Sequence, residues 1–299
     1  MTEGASEITA ELVRDLVREQ HPDLVGPGLR EVAGGWDNHV WRLGDELAVR
    51  IPRTDRAPDL LRKECRWLPV LAPRLPLPVS DLVRIGEPSA RFPKPWAVMT
   101  WVPGEPLDLT SISRPEHAAR TLAGFLRALH VAAPADAPVS EDRGEHPKEC
   151  ADGFDHFFRA VVPDDLADGV RAVWDDAVAA PEWAGPPLWV HGDLHPANVV
   201  VSDGTLSGVI DFGAVFAGDP AWDLAAAWVV LPEGAASRFF DAYEHADEAT
   251  IRRARGLAAL KGLFLMLMGR DGDRGLPGGK AHWGPAGRAA LERVVGDAS

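Results

Sequence analysis

The chain has 299 residues, of which 46% are hydrophobic and 25% are charged, proportions typical of a globular protein with one large domain or two lobes. Its net charge of −14 and pI of about 5.1 argue against nucleic acid as a partner, because phosphate backbones are bound by basic surfaces. The same acidity permits a cationic small-molecule substrate, although solubility alone would also account for it.

Neither a membrane anchor nor an export signal is expected. The longest apolar run begins at Gly256, is too short to cross a bilayer and contains Lys261, so it predicts a buried helix. Residues 1–20 are acidic and amphipathic, unlike the basic and then apolar residues of a secretory signal. The two cysteines, Cys65 and Cys150, indicate no disulfide framework, and together these features predict a cytoplasmic protein.

Residues 1–101 are predicted to form a small, β-rich N-terminal lobe. A short amphipathic helix is followed by five strand-like segments, LREV, NHVWRL, ELAVRIP, DLVRIG and WAVMTWV. Between the third and fourth of these, a helix is predicted from Ala57, and Pro69 should kink or end it.

Residues 102–299 are predicted to form a larger, mainly helical C-terminal lobe. Ser113 and Glu116 have the spacing of a capping box and predict the start of its first helix. The polar segment 141–183 predicts irregular structure and short helices, and two short apolar strands then bracket the sequence HGDLHPAN. The expected fold class is therefore α+β, with two lobes.

Three oxygen-bearing side chains lie at the ends of short apolar strands in the C-terminal half. Asp193 is followed five residues later by Asn198, and Asp211 comes after the next pair of strands. A hairpin that returns Val209 beside Val199 would bring Asn198 and Asp211 together. Carboxylate and amide oxygens are hard ligands that suit Mg²⁺ shared with substrate phosphates. Asp193 is then left as the base or orienting group for an incoming hydroxyl.

This spacing is that of the protein-kinase catalytic loop, in which an Asp precedes an Asn by five residues and Asp-Phe-Gly follows. Gly192 stands where protein kinases have the arginine that responds to activation-loop phosphorylation, so a constitutively competent site is expected. The stretches WVHGDLHPANVVV and GVIDFGAVFAGDPAWDLA resemble the aminoglycoside phosphotransferase family, antibiotic kinases related to protein kinases. The resemblance extends from about Leu29 to about Tyr243.

The resemblance implies a bilobal protein-kinase-like fold, ATP or GTP as the phosphate donor, and Mg²⁺. It implies that Asp193 is the catalytic residue and that Asn198 and Asp211 hold the metal. It also implies that Asp223 braces the catalytic loop by hydrogen bonds. His191 is expected to be a buried structural histidine that bonds backbone near the Asp-Phe-Gly turn.

The N-terminal lobe has a matching feature in LAVR, the counterpart of Val-Ala-Ile-Lys on the third kinase strand. Ala48 corresponds to the alanine that packs on adenine, and Arg50, on the same strand face, replaces the phosphate-binding lysine. Arginine keeps the positive charge and adds a planar fork, but it is not equivalent to lysine. By the resemblance, Glu64 on the following helix is its partner and holds Arg50 toward the α- and β-phosphates.

Other nucleotide contacts are predicted from position alone. Gly34, Gly35 and Asn38 lie where the phosphate-covering loop is expected, although no G-x-G-x-x-G is present. The backbone around Thr100 and Trp101, at the connector between the lobes, is expected to bind the adenine edge.

Substrate contacts are expected among acidic residues of the segment 141–183 and of a helix near the C-terminus. Each of these residues alone is more often a solvated carboxylate, and two or three are expected to contact the acceptor. The candidates are Glu145, Glu149, Asp152, Asp155, Glu182, Asp241 and Glu244.

The leading hypothesis is an ATP-dependent O-phosphotransferase that acts on a hydroxyl of a small molecule, such as an aminoglycoside-type antibiotic, without a nucleic-acid or membrane partner. Kinases of macrolides, choline or methylthioribose share the motif set and stay open as alternatives. A catalytically idle nucleotide-binding module is a second hypothesis. A third treats His191, His195 and the nearby aspartates as a zinc hydrolase site, but their spacing matches no zinc motif and LAVR would be unexplained.

Overall fold

The chain separates into two compact units in the computed structural model. The residues that the structure describes are 8–26, 28–32, 35–140 and 143–297. The first unit contains Met1–Pro73 and Pro78–Val102, and the second contains Arg74–Leu77 and Pro103–Ser299.

A five-stranded antiparallel sheet is the main element of the first unit. Its strands are β1 (Leu29–Val32), β2 (Asn38–Leu43), β3 (Leu47–Pro52), β4 (Leu82–Gly86) and β5 (Trp96–Thr100). They lie in the order β1-β2-β3-β5-β4. The central strands supply large apolar side chains, because a strand covered on both faces is apolar at most positions. The buried members of this core include Trp41, Val49, Ile51, Trp96 and Val98.

Helix α1 (Ala10–Gln20) packs against this sheet. It begins where the Thr9 hydroxyl accepts a hydrogen bond from the Leu12 N–H, which satisfies one of the free amides of the first turn. Its buried face joins the sheet core through Val13, Leu16 and Val17.

Helix α2 (Ala57–Leu71) follows β3 and carries Pro69 in its last turn. The helix ends two residues after this proline. A proline lacks an N–H and clashes with the preceding turn, so it is tolerated best near a helix end.

Two small sheets carry the strands of the second unit. Their strands are β6 (Glu105–Pro106), β7 (Leu188–Val190), β8 (Val199–Ser202), β9 (Thr205–Val209) and β10 (Phe216–Gly218). Strands β6, β8 and β9 form one sheet, and β7 pairs with β10 in the other. The turn between β8 and β9 has positive φ at both Asp203 and Gly204, 51° and 73°, as a tight type I′ hairpin requires.

The remainder of the second unit is helical. Its helices are α3 (Pro115–Leu129), α4 (Ala151–Val161), α5 (Ala167–Ala179), α6 (Ala221–Leu224), α7 (Ala226–Val229), α8 (Ala236–Tyr243), α9 (Glu248–Asp273) and α10 (Trp283–Gly296). The apolar run from Gly256 lies in α9, which packs against α4, α5 and α10. Among the described residues, no helix is long and apolar enough to span a membrane.

The predicted capping box at Ser113 is wrong. Helix α3 begins at Pro115, its N-cap is Arg114, and no side chain caps it. Proline at the first helical position has its φ fixed for a helix and has no N–H to satisfy, so it sets the start here. The Ser113 N–H donates instead to the carbonyl of Gly204 in the β8–β9 turn, at 3.0 Å.

Candidate active site

The loop that carries HGDLHPAN runs from β7 to β8, and β9 returns beside β8 toward Asp211. Val199 pairs with Val209, and the Ile210 N–H donates to the Asn198 carbonyl at 3.0 Å. The predicted hairpin register is therefore present, and Asn198 lies opposite the residue that precedes Asp211. Asp211 has φ 65°, a left-handed conformation that aspartate tolerates better than most residues.

Asp193 presents its carboxylate at the start of this loop, with about a third of the side chain (36%) exposed. Its Oδ1 lies 3.0 Å from Nη1 of Arg143, and its Oδ2 lies 3.4 Å from Nδ2 of Asn198. Burial opposes ionisation, but the surrounding positive charges, Arg143 first and His195 next, hold the pKa of Asp193 below its usual range. The group is therefore an ionised carboxylate whose two oxygens are both oriented.

The orientation of the Asn198 amide suits a metal ligand. Its Nδ2 also donates to the Asp193 backbone carbonyl at 2.9 Å, which turns the Oδ1 oxygen away from Asp193. Among the described residues, no group of three or more His, Cys, Asp or Glu side chains could hold a metal ion alone. A divalent ion bound by Asn198 and Asp211 would therefore need ligands from outside the protein, as Mg²⁺ shared with phosphate oxygens does.

His191 is fully buried and both of its ring nitrogens are engaged. Nδ1 accepts from the Asp193 N–H at 3.2 Å, so Nε2 carries the proton and donates to the Ile210 carbonyl at 3.1 Å. Burial, opposed by the charges of Asp223 and Asp193, lowers the pKa of His191, so the ring is kept neutral. These bonds connect the loop to the end of β9 and leave no nitrogen for a zinc ion.

Asp223 anchors the same loop from α6. Its fully buried carboxylate accepts from the His191 N–H at 2.7 Å and from the Gly192 N–H at 3.0 Å. His130 Nε2 lies 3.3 Å from the same carboxylate, and its Nδ1 lies 2.8 Å from the Tyr243 hydroxyl. Burial would raise the pKa of Asp223, but the bond from His130 lowers it, and the carboxylate stays ionised.

Gly192 must be a glycine in this loop. Its φ is 83°, and a Cβ would lie 2.6 Å from the Ala214 carbonyl and 3.0 Å from the Phe216 ring. Its own carbonyl accepts from the indole N–H of Trp222 at 2.8 Å and from Arg143 at 3.2 Å. No side chain fits here, which is a physical reason for the absence of the kinase arginine.

In the first unit, Arg50 and Glu64 form a buried ion pair. Nη1 of Arg50 lies 2.5 Å from Oε2 of Glu64, and the Glu64 side chain is fully buried. Ala48 is also buried and lies on β3 at the position two residues before Arg50, on the same strand face. The pair fixes the direction of the guanidinium, because a buried charge is stable only with its partner.

The glycine turn before β2 is shaped by a close backbone approach. Gly34 lies outside the described residues. A Cβ on Gly35 would lie 1.9 Å from the Asn38 carbonyl, so only glycine fits there. Asn38 is 5% exposed at the start of β2, and among the described residues its Oδ1 has no hydrogen-bond partner.

In the backbone around Thr100 and Trp101, which is predicted to bind the adenine edge, both amides are bonded within the first unit. The Thr100 N–H donates to the Asp81 carbonyl at 2.8 Å, and the Trp101 N–H donates to the Glu46 carbonyl at 2.7 Å. These two amides are therefore not free as donors to a base. The Thr100 carbonyl accepts from the Ser80 hydroxyl at 3.0 Å and keeps a second lone pair.

Residues 28–257 match the phosphotransferase enzyme family. The chain belongs to this family. The phosphotransferase is 32% identical over 283 residues to viomycin phosphotransferase of Streptomyces vinaceus. The aligned region covers 87% of this chain and 93% of that protein. It is 29% identical over 157 residues to an aminoglycoside 3'-phosphotransferase of Escherichia coli, across 50% of this chain and 58% of that protein. The family predicted from the motifs is confirmed.

Solved structures of similar shape agree on the fold. The GDP complex of an aminoglycoside 2'-phosphotransferase-IIIa superposes with a TM-score of 0.72 at 20% identity, covering 98% of this chain and all of that one. A macrolide 2'-phosphotransferase from Brachybacterium faecium superposes with a TM-score of 0.61 at 21% identity, covering 94% and 97%. The predicted fold class, a β-rich N-terminal part and a helical C-terminal part, is confirmed.

Four of the seven acidic candidates for substrate contacts in the phosphotransferase pair with a cation, and one of these, Glu149, lies 3.9 Å from Lys148. Asp155 lies 2.9 Å from Arg171, Glu182 pairs with Lys148, and Glu244 lies 3.6 Å from Arg127. Asp152 and Asp241 are exposed on α4 and α8. The groups that lie around Asp193 are instead Arg143, Lys261 and two histidines.

Arg143 and Lys261 are functional candidates that the motifs did not reveal. Lys261 projects from α9, donates to the Trp222 carbonyl at 2.8 Å, and lies 5.4 Å from the centre of the Trp222 ring. Burial lowers its pKa to about 8, against the opposing effect of Asp223 and Asp193. The sequence signal for Lys261 was a single lysine in an apolar run. Arg143 lies in a polar segment without periodicity, and the sequence carried no signal for it.

Proposed function

We propose that the protein transfers the γ-phosphate of ATP or GTP, with Mg²⁺, to a hydroxyl of a small-molecule antibiotic. The observation that carries the proposal is the catalytic loop itself. It holds the oriented carboxylate of Asp193 beside the side-chain amide of Asn198. The hairpin register places Asn198 opposite the residue that precedes Asp211. This is the set of groups that phosphoryl transfer needs, because the reaction depends on positioning and on neutralising charge.

Each proposed site residue has a defined task. Asp193 accepts a hydrogen bond from the acceptor hydroxyl, aligns it for attack on the γ-phosphorus, and takes its proton as the new P–O bond forms. The bond from the γ-phosphorus to the β–γ bridging oxygen breaks in the same step, and ADP or GDP leaves with that oxygen. Asn198 and Asp211 would hold Mg²⁺, which when bound neutralises charge on the phosphate oxygens. His191 and Asp223 keep the loop in the geometry that presents Asp193.

The first unit supplies the nucleotide contacts in this proposal. Arg50, fixed by Glu64, binds the α- and β-phosphates through its planar fork. Ala48 packs on the base, and Gly35 lets the backbone before β2 make a tight turn near the phosphates. Asn38, buried at the start of β2, would donate from its side-chain N–H groups to a phosphate oxygen in our proposal. The occupied amides of Thr100 and Trp101 leave backbone carbonyls of the connector to accept from the base.

The acceptor class is proposed from the relatives. Proteins named for viomycin, aminoglycosides and macrolides all resemble this chain, so we propose a hydroxylated antibiotic, with basic antibiotics such as aminoglycosides first. The chain is similar to the viomycin enzyme over nearly its whole length, which makes viomycin an equal candidate. Glu145, Asp152 and Asp241, exposed acids without an ion pair among the described residues, are the remaining candidates to contact an amine.

A coupled ADP- or GDP-release screen tests the proposal. The panel contains aminoglycosides, viomycin, macrolides, and amino alcohols such as choline, each with ATP and with GTP. We expect acceptor-dependent release with a basic antibiotic, a phosphate ester in the phosphorus NMR spectrum of the product, and loss of turnover when EDTA removes Mg²⁺. Nucleotide binding without release for any acceptor would favour an idle module, and turnover that depends on zinc would favour a hydrolase.

A further inference from the structure

A guanidinium from outside the catalytic loop contacts that loop at two atoms. Nη1 of Arg143 lies 3.0 Å from Oδ1 of Asp193 and donates to the Gly192 carbonyl at 3.2 Å. Both side chains keep some contact with solvent, 23% for Arg143 and 36% for Asp193. One nitrogen thus connects the backbone of one loop residue with the carboxylate of the next.

The packing around Phe216 explains why the cation comes from residue 143. Gly144 has φ 83°, and a Cβ there would lie 2.1 Å from the Phe216 ring. A Cβ at Gly192 would lie 3.0 Å from the same ring. Two glycines at positive φ therefore contact the same aromatic ring and bring the Arg143 backbone close to the loop. The loop itself has no room for a side chain at position 192.

The segment that carries Arg143 is held in place on its C-terminal side. His146 Nε2 donates to the Ala180 carbonyl at 2.9 Å, and its Nδ1 accepts from the Lys148 N–H at 3.2 Å. Pro147, between them, is buried. The guanidinium is therefore presented by an anchored backbone, which reduces the entropy lost when it pairs with the carboxylate.

We propose that Arg143 is the positioning residue of Asp193. It supplies a guanidinium to the catalytic loop from outside, because position 192 within the loop has no room for a side chain. The inference rests on the proposed function, because Asp193 is taken there as the group that aligns the acceptor. With Oδ1 held by Arg143 and Oδ2 near Asn198, the plane of the carboxylate is fixed. A remaining lone pair then meets the acceptor hydroxyl in a single geometry.

Kinetics of three variants test this role. In Arg143→Ala, kcat should fall by about 10- to 100-fold, the usual effect of losing a hydrogen bond to a charged group, while KM for ATP is unchanged. Arg143→Lys should recover part of the loss, because it restores charge without the fork. The matched control is Arg238→Ala, which removes the same charge from an exposed pair with Glu116. Its kcat should equal that of the wild type.

Chemical rescue separates positioning from a structural role. Added guanidinium ion, well below denaturing concentration, should raise the kcat of Arg143→Ala and leave that of the wild type and of Arg238→Ala unchanged. A purely structural arginine would lower the melting temperature without such rescue. Wild-type kcat in Arg143→Ala would overturn the proposal while leaving the phosphotransferase activity intact.

A thermal double-mutant cycle makes the pairing testable apart from turnover. Melting temperatures are compared for the wild type, Arg143→Ala, Asp193→Asn and the double variant. Non-additive shifts are expected because the two groups interact directly. If the wild type transferred no phosphate but the shifts were non-additive, the proposed function would fail and the pairing would stand. Additive shifts would overturn the pairing.

Discussion

Two regions of the second unit are rich in acidic residues, and the structure holds their carboxylates in different ways. In the catalytic region, from β7 to α6, Asp223 accepts two backbone amides and Asp193 is oriented by neighbours on both oxygens. On α4 and the loop after α5, Asp155 and Glu182 pair with long cationic side chains and stay 42% and 64% exposed.

The contrast teaches how the direction of a carboxylate is fixed. At the buried helix α6, Asp223 faces backbone amides whose positions the fold determines. After β7, Asp193 faces Arg143 and Asn198, whose side chains also bond to backbone carbonyls of the same loop. A helix surface presents a carboxylate to mobile arginines and lysines, and such pairs contribute little. The first kind of carboxylate can align a reacting group, whereas the second kind can exchange its partner for a cationic ligand. The following variants test this difference, from the largest expected effect to the smallest.

Asp211→Asn should have the largest effect in this set. The change keeps the shape of the side chain and removes the charge proposed to hold Mg²⁺, so kcat should fall by about 10³-fold, as for the loss of a strong electrostatic contact in other active sites. Turnover as a function of Mg²⁺ concentration is the measurement. A loss below about tenfold at saturating Mg²⁺ would remove Asp211 from the site, since metal ligation is worth several kcal/mol.

Asp223→Asn should lower both stability and turnover. An amide can accept from one of the two loop N–H groups but faces the other with its own N–H, and it leaves His130 without its charged partner. We expect the free energy of unfolding to fall by about 3 kcal/mol, as when one partner of a buried charged network is removed. Denaturant unfolding and kcat are measured together, and an unchanged midpoint would contradict the anchoring role.

Lys261→Met should stabilise the protein in a way that depends on pH. Burial lowers the pKa of Lys261 to about 8, so between pH 8 and its ordinary value of 10.5 the unfolded chain binds more protons than the folded one. The contribution of Lys261 to the free energy of unfolding of the wild type therefore rises with pH through that window. The variant should melt higher than the wild type at pH 7, and the gap should shrink by pH 10. A constant gap would show that Lys261 is not held at a lowered pKa.

Glu182→Gln should have the smallest effect. The carboxylate forms an exposed pair with Lys148, so the melting temperature and kcat should match those of the wild type. The acceptor KM is the sharper readout. An increase for a cationic acceptor alone would show that the acceptor displaces Lys148, and Glu182 would then belong with the functional carboxylates.

Local patterns allowed prediction of much of the fold and of the catalytic loop. The strand-like segments NHVWRL and ELAVRIP, the hairpin that returns Val209 beside Val199, and the spacing of Asp193 and Asn198 each depend on residues that are near in sequence. The partnership of Arg50 with Glu64 was implied by the family resemblance and not by a local pattern.

The remaining features depend on contacts that are distant in sequence. Arg143 reaches Asp193 across 50 residues because two glycines meet one phenylalanine ring, and no periodicity records this. The Trp101 N–H, in the backbone that is predicted to bind the adenine edge, donates to the carbonyl of Glu46, which is distant in sequence. The capping-box spacing at Ser113 is a valid local signal, but the proline two residues later sets the start of the helix instead. The only sequence signal for the buried Lys261 was that a lysine interrupts an apolar run.

The most direct test of the central claim is a comparison of nucleotide binding and turnover in Asp193→Asn. Calorimetry with Mg²⁺ and ATP should give an affinity equal to that of the wild type, because Asp193 contacts the acceptor and not the nucleotide in this account. The coupled assay with the best acceptor should show kcat lower by about 10²- to 10⁴-fold, the range for loss of a general base. Turnover at the wild-type rate would contradict the assignment of Asp193 as the catalytic residue.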